Sequence, residues 1–248
     1  MNKKYLAPLR WGVQLFFLFC VLWGLSFGVK PLATKLTIVS LIFFVGTYYC
    51  GWVCSFGTLQ DILWAVNRRF IKKQITVPPQ YDRYLSWIRY VSLFVSLGAV
   101  MSILDTRRIF FSIVAGRALT AAAILCFALT LLLGLFMSRP FCRYVCPEGA
   151  RYGLVGLSRL FTVTRRDDLC VHCGACDRSC PMAIPLSSSI GLNTPQCISC
   201  ARCIEACPKP RALSLKLRNL RNPVTLAFFL AGLYFLATYV LNAFKRFG

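Results

Sequence analysis

Histidine is almost absent from this chain of 248 residues, and its scarcity excludes several kinds of chemistry. The single histidine is His172, so the chain alone cannot provide both ligands of a bis-histidine haem. No P-loop, dinucleotide-binding glycine fingerprint or catalytic triad is present either. Nucleotide chemistry must therefore lie in another protein, and we expect no haem in this chain.

Acidic residues are also scarce, and the chain is strongly basic. Eight residues are acidic and 29 are Lys or Arg, which makes the formal net charge +21. A basic balance can indicate nucleic-acid binding, but no nucleic-acid-binding motif accompanies it, and we expect no such partner. Hydrophobic residues make up 57% of the chain and the mean hydropathy is +0.62, above the usual range for globular domains.

Five apolar runs reach, or nearly reach, the length that crosses a bilayer. They are residues 11–29, 36–49, 84–104, 118–138 and 224–242. The second run is short and becomes a full span only if its helix continues through Cys54. No small-x-small cleavage site follows the first run, so we expect an uncleaved anchor rather than a signal peptide. The pattern predicts a membrane α-helical protein with about five transmembrane helices.

Cysteine is abundant, and eight of the 14 cysteines form two identical runs of the form C-x2-C-x2-C-x3-C-P. Four thiolates hold a [4Fe–4S] cube, and in two-cluster bacterial ferredoxins the fourth cysteine of each run ligates the other cluster. One predicted cluster is therefore held by Cys170, Cys173, Cys176 and Cys207. The other predicted cluster is held by Cys197, Cys200, Cys203 and Cys180. Zinc sites more often show two CxxC pairs per metal, and disulfides need an oxidising compartment.

The distribution of basic residues predicts the orientation. With a cytoplasmic N-terminus, the inner segments are residues 1–10, 50–83 and 139–223, and the outer ones are 30–35, 105–117 and 243–248. The inner segments hold 21 of the 29 basic residues and the outer ones hold 7. The positive-inside rule then places the two-cluster module in the cytoplasm of a bacterial or archaeal cell, beside a multi-pass protein of the cytoplasmic (inner) membrane.

A second cysteine motif is also repeated. CGWVCSFG at residues 50–57 and CRYVCPEG at residues 142–149 share the pattern C-x-aromatic-V-C-x-x-G, and each follows an apolar run. Two matching copies imply an internal repeat of helix pairs. On a helix the two thiols of each copy share one face, so together the copies would offer four thiolates to a third iron–sulfur cluster of unknown type. These are Cys50, Cys54, Cys142 and Cys146. Redox-active or metal-binding thiols, and simple packing, are the alternatives.

Both repeated motifs give the chain its resemblance to a known family. Over roughly residues 10–215 it resembles the NapH/NosR-like membrane polyferredoxins: CGWVCSFGTLQD is similar to their CGWVCPFG-type signature, and CRYVCPEGA is similar to the second copy. Ser55 stands where the family has proline, and the fifth apolar run exceeds the four that are typical of short members. The resemblance implies electron transfer between the quinone pool, or a cytoplasmic donor, and a periplasmic reductase system.

Two acidic residues are candidates for handling protons. Quinol oxidation releases protons with electrons, so a quinone site needs an acceptor such as a carboxylate. Asp61 lies seven residues after Cys54, and Glu148 lies two residues after Cys146. The alternative is that both carboxylates pair with arginines and only orient their loops. The arginines considered are Arg68, Arg143 and Arg151.

These observations predict three domains and a relay function. The domains are a transmembrane helical domain at residues 1–164, a small α+β bacterial-type two-cluster ferredoxin domain at 165–215, and a C-terminal transmembrane helix at 216–248. We expect an oxidoreductase component, such as a quinol dehydrogenase subunit, rather than a stand-alone enzyme. Its expected partners are the membrane, quinone and other redox subunits. The alternative is a metal-handling or assembly polyferredoxin that reduces a metal ion.

Overall fold

A computed structural model describes residues 5–23, 47–75, 77–95, 105–159, 161–188, 194–209 and 211–217, with residues 226, 230 and 234. The chain divides into two compact units. One, called here the helical unit, consists of Asn2–Ser26 and Cys50–Arg151. The other, called the C-terminal unit, consists of Phe27–Tyr49 and Tyr152–Gly248, together with Met1. The domain boundaries expected from the sequence stay a prediction.

The helical unit is built from short helices. In chain order they are α1 Leu6–Leu22, α2 Ser55–Val66, α3 Pro79–Leu85, α4 Ile88–Val95, α5 Thr106–Val114, α6 Ala121–Phe136, α7 Pro140–Tyr144 and α8 Pro147–Val155, the last of which continues into the C-terminal unit. Single π-helical turns occupy Tyr49–Val53 and Asn67–Ile71. Three helices begin with proline, whose fixed φ suits the first helical position and whose missing N–H would have no partner there.

Polar side chains cap two of the longer helices. The Asp105 carboxylate accepts a hydrogen bond from the Arg107 N–H at 3.2 Å, which starts α5. The Thr120 hydroxyl accepts one from the Ala123 N–H at 3.3 Å, which starts α6. Each cap satisfies one of the N–H groups that a helix leaves without an internal partner, and so defines where the helix begins.

The predicted transmembrane helices are wrong for the part of the chain that the structure describes. None of its helices combines the length and the apolar character needed to cross a bilayer. The run at 11–29 contains α1, of 17 residues, and the run at 118–138 contains α6, of 16 residues, against the ~20 that a span needs. The described part of the run at 84–104 contains α4, of 8 residues. The runs at 36–49 and 224–242 lie largely outside the described residues.

Helix α1 buries two polar side chains and exposes several large apolar ones. Arg10 and Gln14 are buried, whereas Phe16 and Phe19 are exposed, as is Trp23 just after the helix. In helix α6 the buried residues are the small Ala123 and Gly134, whereas five large aliphatic side chains are exposed, namely Ile124, Leu125, Leu129, Leu132 and Leu133. The interior of the helical unit is therefore unusually polar, and its surface carries large apolar side chains.

Helix α2 is the centre of the helical unit and packs against both α1 and α6. Its Phe56 is fully buried and meets the Phe141 ring edge-on, with centroids 5.3 Å apart. The Phe110 ring of α5 lies 5.9 Å from that of Phe56. On the α6 side, Gly134 allows a close approach, because a Cβ there would lie 3.4 Å from Leu63 Cδ1. This packing holds the start of α2 beside α7.

The C-terminal unit contains a small antiparallel sheet and two short helices. Strand β1, Phe161–Arg165, pairs with β2, Leu213–Leu217, in a register that sets Phe161 opposite Leu217 and Arg165 opposite Leu213. Helix α9, Ala175–Ser179, packs against α10, Arg202–Ala206. The sheet thus joins the segment before the first cysteine run to the segment after the second.

Candidate functional site

The first cysteine run borders an open cavity in the C-terminal unit. All four cysteines predicted to hold one cluster line it, namely Cys170, Cys173, Cys176 and Cys207. Cys207 belongs to the second run and reaches the cavity because α9 and α10 lie side by side. The cavity thus offers four thiols from two separate loops, the donor set that a [4Fe–4S] cluster requires.

The second predicted set also lies together. Burial, and then the neighbouring Cys200 and Cys197, raise the pKa of Cys180 to about 12. Burial raises the pKa of Cys203 as well, and the thiols of Cys200, Cys197 and Cys180 add to that shift. Because thiols influence one another in this way only at short range, these four cysteines form one group. That each of them ligates iron stays a prediction.

The two cysteine loops have the same backbone conformation. His172 and Ser199, each between the first two cysteines of its run, both have φ of 50°. Gly174 and Ala201, each directly after the second cysteine, have φ of 65° and 58°. Residues other than glycine rarely adopt positive φ, and such strain is concentrated at functional sites. Left-handed turns of this kind direct N–H groups into a concave, anion-binding loop, which suits a negatively charged cluster.

Each cysteine loop also has a buried arginine beside its first thiol. Arg165, the last residue of β1, directs Nη1 towards Cys170 Sγ at 4.0 Å and pairs with Asp167 at 2.6 Å. Arg159 hydrogen-bonds the Cys197 thiol and lowers its pKa against the larger, raising effect of burial. No local sequence pattern indicated these contacts, because both arginines precede the cysteine runs.

The helical unit brings the two shorter cysteine motifs together. Burial raises the pKa of Cys50 well above its ordinary value, and the thiols of Cys54, Cys146 and Cys142 add to the effect. Burial likewise raises the pKa of Cys146 to about 11. The four thiols predicted for a third cluster are therefore neighbours, although 92 residues separate the first cysteines of the two motifs, Cys50 and Cys142.

The local geometry of each pair differs from the prediction that both thiols share one helical face. Cys50 lies in the π-helical turn, and Cys54 has extended backbone (φ −64°, ψ 107°) at the start of α2. Cys142 lies in α7, and Cys146 comes between α7 and α8. Proline at position 147 disfavours helical backbone for Cys146. Each pair thus spans a junction between two helical segments.

Two hydrogen bonds reach sulfur in this four-cysteine group. The fully buried Gln60 donates from Nε2 to Cys142 Sγ at 3.3 Å. The Gly149 N–H donates to Cys146 Sγ, also at 3.3 Å. Donors to sulfur stabilise thiolate ligands and adjust cluster potentials. The residues of this site therefore fit an iron–sulfur cluster in ligand type and in hydrogen bonding.

The described residues do not form a site for a single metal ion. Over the described ranges, no three or more His, Cys, Asp or Glu side chains are arranged to hold one metal ion. A cubane cluster differs from such a site, because its four thiolates bind four different irons.

Asp61 takes part in a buried ion pair with an arginine that we did not predict. Arg139 Nε donates to Asp61 Oδ1 at 2.9 Å and Nη2 donates to Oδ2 at 2.6 Å. Gln14 Nε2 donates to Oδ2 at 3.0 Å. Arg139 Nη1 also donates to the Cys50 carbonyl at 2.5 Å. Asp61 therefore anchors the loop of the first cysteine motif to the segment just before the second.

Glu148 pairs with one of the expected arginines and with one unexpected arginine. Arg151 Nη1 donates to Glu148 Oε1 at 3.0 Å, and Arg107 Nη2 lies 3.8 Å from the same oxygen. Of the other arginines considered, Arg143 pairs with Asp82. A role of Asp61 or Glu148 in proton handling stays a prediction.

The segment at residues 105–117, expected on the outer side of a membrane, lies against the four-cysteine group instead. Phe110 belongs to the same buried cluster as Phe56, Phe141 and Cys146. This placement brings Arg107 to the site, a residue that no sequence motif indicated.

Comparisons with known proteins agree with both cysteine systems. A family described as a 4Fe-4S binding domain matches residues 27–74 and 119–164, which include the two shorter motifs. A family described as a 4Fe-4S dicluster domain matches residues 162–211, which include both long cysteine runs. The prediction of [4Fe–4S] clusters is thereby confirmed. No solved structure matches the chain.

Several curated proteins are similar over part of their length. The Methanocaldococcus jannaschii protein MJ0750 is 30% identical over 172 residues, which cover 66% of this chain and 71% of that protein. The Escherichia coli ferredoxin-type protein NapH is 30% identical over 170 residues, 64% of this chain and 57% of NapH. The Pseudomonas aeruginosa regulatory protein NosR is 29% identical over 152 residues, 58% of this chain and 21% of NosR.

The chain spans less than two thirds of the length of several of these relatives, including 57% of NapH and 21% of NosR. The repeated cysteine motifs and the two domain families nevertheless agree with the similarity to NapH and NosR. The chain belongs to the NapH/NosR-like polyferredoxin family and is an iron–sulfur electron-transfer protein.

Proposed function

We propose that this chain is a relay subunit that carries electrons between the two clusters of its C-terminal unit and a third [4Fe–4S] cluster in its helical unit. The third cluster would be held by Cys50, Cys54, Cys142 and Cys146. When bound, these clusters would accept and release single electrons. A quinone or a partner redox subunit would exchange electrons at the other end of the relay.

One observation carries the proposal: the packing of the helical unit gathers four thiols from two distant motifs. Cysteines that served only for packing would not need to lie next to one another. The Asp61–Arg139 pair supports it further, because it joins the loop of Cys50 to the segment that precedes Cys142. The match of one 4Fe-4S binding family to both motif-bearing segments favours the [4Fe–4S] type.

The surroundings of the four thiols suit electron transfer. Phe56, Phe110 and Phe141 form a buried aromatic cluster beside Cys146, which excludes water from that side of the site. Gln60 and the Gly149 N–H donate to two of the sulfurs. Low solvent access and fixed donors reduce the rearrangement that accompanies a change of charge, and both influence the reduction potential.

We further propose that the relay works at the cytoplasmic membrane, with the C-terminal unit in the cytoplasm. The many exposed apolar side chains of α1 and α6 support this location, because extensive exposed apolar surface marks contact with lipid or with a partner. Oxidation of a quinol there would release two electrons and two protons. Glu148, held between Arg107 and Arg151, would be the more available proton acceptor, since both oxygens of Asp61 accept hydrogen bonds from Arg139 and one also from Gln14.

Iron analysis combined with EPR spectroscopy tests the third cluster. Purified anaerobically, the full chain should contain about twelve irons, the sum for three cubes. A content of about eight irons would overturn the third cluster while leaving the two ferredoxin-type clusters in place.

Cysteine variants locate the third cluster. Cys50→Ala and Cys142→Ala should each lose about four irons and the same EPR signal. Cys126→Ala is the matched control, because Cys126 lies outside all four motifs and should keep the full iron content. Full iron content in Cys50→Ala would rule out a site shared by the two motifs. Stoichiometric copper in place of the third cluster would favour the metal-handling function instead.

A further inference from the structure

We propose that Arg107 is the positive counter-charge of the cluster held by the four-cysteine group and raises its reduction potential. This inference rests on the proposed third cluster. Arg107 lies in neither of the segments that match the 4Fe-4S binding domain, residues 27–74 and 119–164, and in neither cysteine motif.

The backbone of Arg107 is held by the start of α5. The Asp105 carboxylate accepts the Arg107 N–H at 3.2 Å, so the residue occupies the first turn of the helix. Three residues further on, α5 begins to contribute to the aromatic cluster through Phe110, which packs with Phe56 and Cys146. The position of Arg107 relative to the cysteines is therefore set by helix packing rather than by a free loop.

The guanidinium of Arg107 lies near the second cysteine motif, through its contact with Glu148 two residues after Cys146. Only 18% of its side chain is exposed, and its Nη2 lies 3.8 Å from Glu148 Oε1. Burial lowers the pKa of Arg107, but nearby groups that include Cys146, Asp105 and Cys54 raise it by more, and Arg107 lowers the pKa of Cys146 against the larger effect of burial. The cation thus lies within electrostatic reach of one thiol from each motif.

Arg107 also has an unused donor. Its Nε is buried and has no hydrogen-bond partner among the described residues. A buried N–H without an acceptor is unfavourable, and an arginine N–H forms a strong hydrogen bond with an anionic acceptor. Cluster-bound thiolate sulfur, or the cluster's own sulfide, is an acceptor of the right charge for this position.

The second arginine near the thiols is already neutralised. Arg139 forms a bidentate pair with Asp61, and both side chains are 1% exposed. Arg107 has no bidentate partner, since its contact with Glu148 is a single one of 3.8 Å. Arg107 therefore retains more of its charge for the cluster than Arg139 does.

The direction of the effect follows from Coulomb's law. Reduction adds one electron to the cluster, and a nearby positive charge stabilises the more negative state. Loss of that charge should lower the midpoint potential. Loss of the neighbouring negative charge of Glu148 should raise it.

The test is a redox titration of the full, cluster-loaded chain, with dithionite as reductant and EPR detection. In Arg107→Gln we expect the reduced-to-oxidised ratio of the third cluster to fall about tenfold at fixed potential, a shift of ~59 mV for one electron. In Arg107→Lys the midpoint potential should return most of the way to the wild-type value, because the positive charge is kept. In Glu148→Gln the midpoint potential should rise. The two clusters of the C-terminal unit, titrated in the same samples, should keep their midpoints.

Arg108→Gln is the matched control. Arg108 is adjacent to Arg107, its side chain is 62% exposed, and it pairs with Asp105 at 3.4 Å, so its loss should leave the midpoint in place. Equal shifts in Arg107→Gln and Arg108→Gln, or no shift in Arg107→Gln with the third cluster present, would overturn the role of Arg107. If Arg107→Gln loses the third cluster, retention in Arg107→Lys supports the charge requirement, and loss in both overturns it. Wild-type protein without a third cluster would refute the proposed function itself.

Discussion

Arg139 and Asp61 form a bidentate ion pair in the interior of the helical unit, with contacts of 2.9 and 2.6 Å and with both side chains 1% exposed. The two residues are 78 positions apart in the chain. Because Arg139 also donates to the Cys50 carbonyl, this pair joins the two halves of the four-cysteine site. Removal of one partner would leave an uncompensated buried charge.

Asp61→Asn should therefore destabilise the helical unit by about 3–5 kcal/mol, the usual effect of breaking a buried ion pair on one side. The measurement is the denaturant midpoint by far-ultraviolet circular dichroism. Asp168→Asn is the control, because Asp168 pairs with Arg166 on the exposed surface and its loss should leave the midpoint unchanged. Equal midpoints for the two variants would show that the buried pair is dispensable. Adding Arg139→Gln to Asp61→Asn should recover part of the loss.

Phe56→Ala should both destabilise the helical unit and empty the third cluster site. Phe56 is 0% exposed and contacts Phe110 and Phe141, so truncation leaves a cavity that costs about 3–5 kcal/mol. Iron content and the denaturant midpoint measure the two effects. Phe70, which is 76% exposed, provides the control, since Phe70→Ala should change neither. If the Phe56→Ala protein keeps about twelve irons, the aromatic cluster is not required for the third iron–sulfur cluster to bind.

Matched positions in the two ferredoxin loops should respond in opposite ways to exchange of Gly and Ala. Gly174 has φ of 65° and Ala201 has φ of 58°, and an L-residue in this region carries roughly 1–2 kcal/mol of strain. Ala201→Gly should slow the loss of cluster absorbance in denaturant, and Gly174→Ala should accelerate it. The added Cβ at Gly174 would lie 3.2 Å from Arg178 Nη1, a flexible group that can move. Changes of the same sign would show that backbone strain does not control cluster retention.

Cluster reconstitution from metal-free protein should become more favourable as the pH rises. Burial raises the pKa of Cys146 to about 11 and that of Cys180 to about 12, so these thiols are protonated in the empty protein near neutral pH. Iron binds thiolates, and binding must release those protons. Apparent iron affinity should therefore increase between about pH 7 and about pH 9, with protons released into a weakly buffered solution. Proton release near zero on iron binding would contradict the raised pKa values of these thiols.

The folded metal-free protein should lose stability as the pH rises above the ordinary thiol pKa, because folding favours the protonated thiols.

Much of the cysteine chemistry was predictable from local spacing. The repeated runs indicated two [4Fe–4S] clusters, and the structure gathers Cys207 with the first run and Cys180 with Cys197 and its neighbours. The family membership was predictable too, because the CGWVC and CRYVC motifs are contiguous in the chain. The ligand sets themselves stay predictions until iron is measured.

The predicted spans show where hydropathy misled. A run of apolar residues reports on composition, whereas the ends of a helix depend on caps, turns and tertiary contacts. Helix α6 begins at the Thr120 cap and ends at residue 136, which shortens the expected run at 118–138. The apolar character of the run also failed to indicate which side chains of α1 are buried. Helix α1 buries Arg10 and Gln14 and exposes Phe16.

The sequence by itself determined the cofactor and the family, because thiols a few residues apart must share a loop whatever the rest of the chain does. Only the tertiary structure decided which distant groups meet: Asp61 with Arg139, and Arg107 with Cys146. These contacts depend on how α2, α5 and α7 pack around Phe56. Packing of that kind is set by side-chain shape over the whole unit, and no short motif records it.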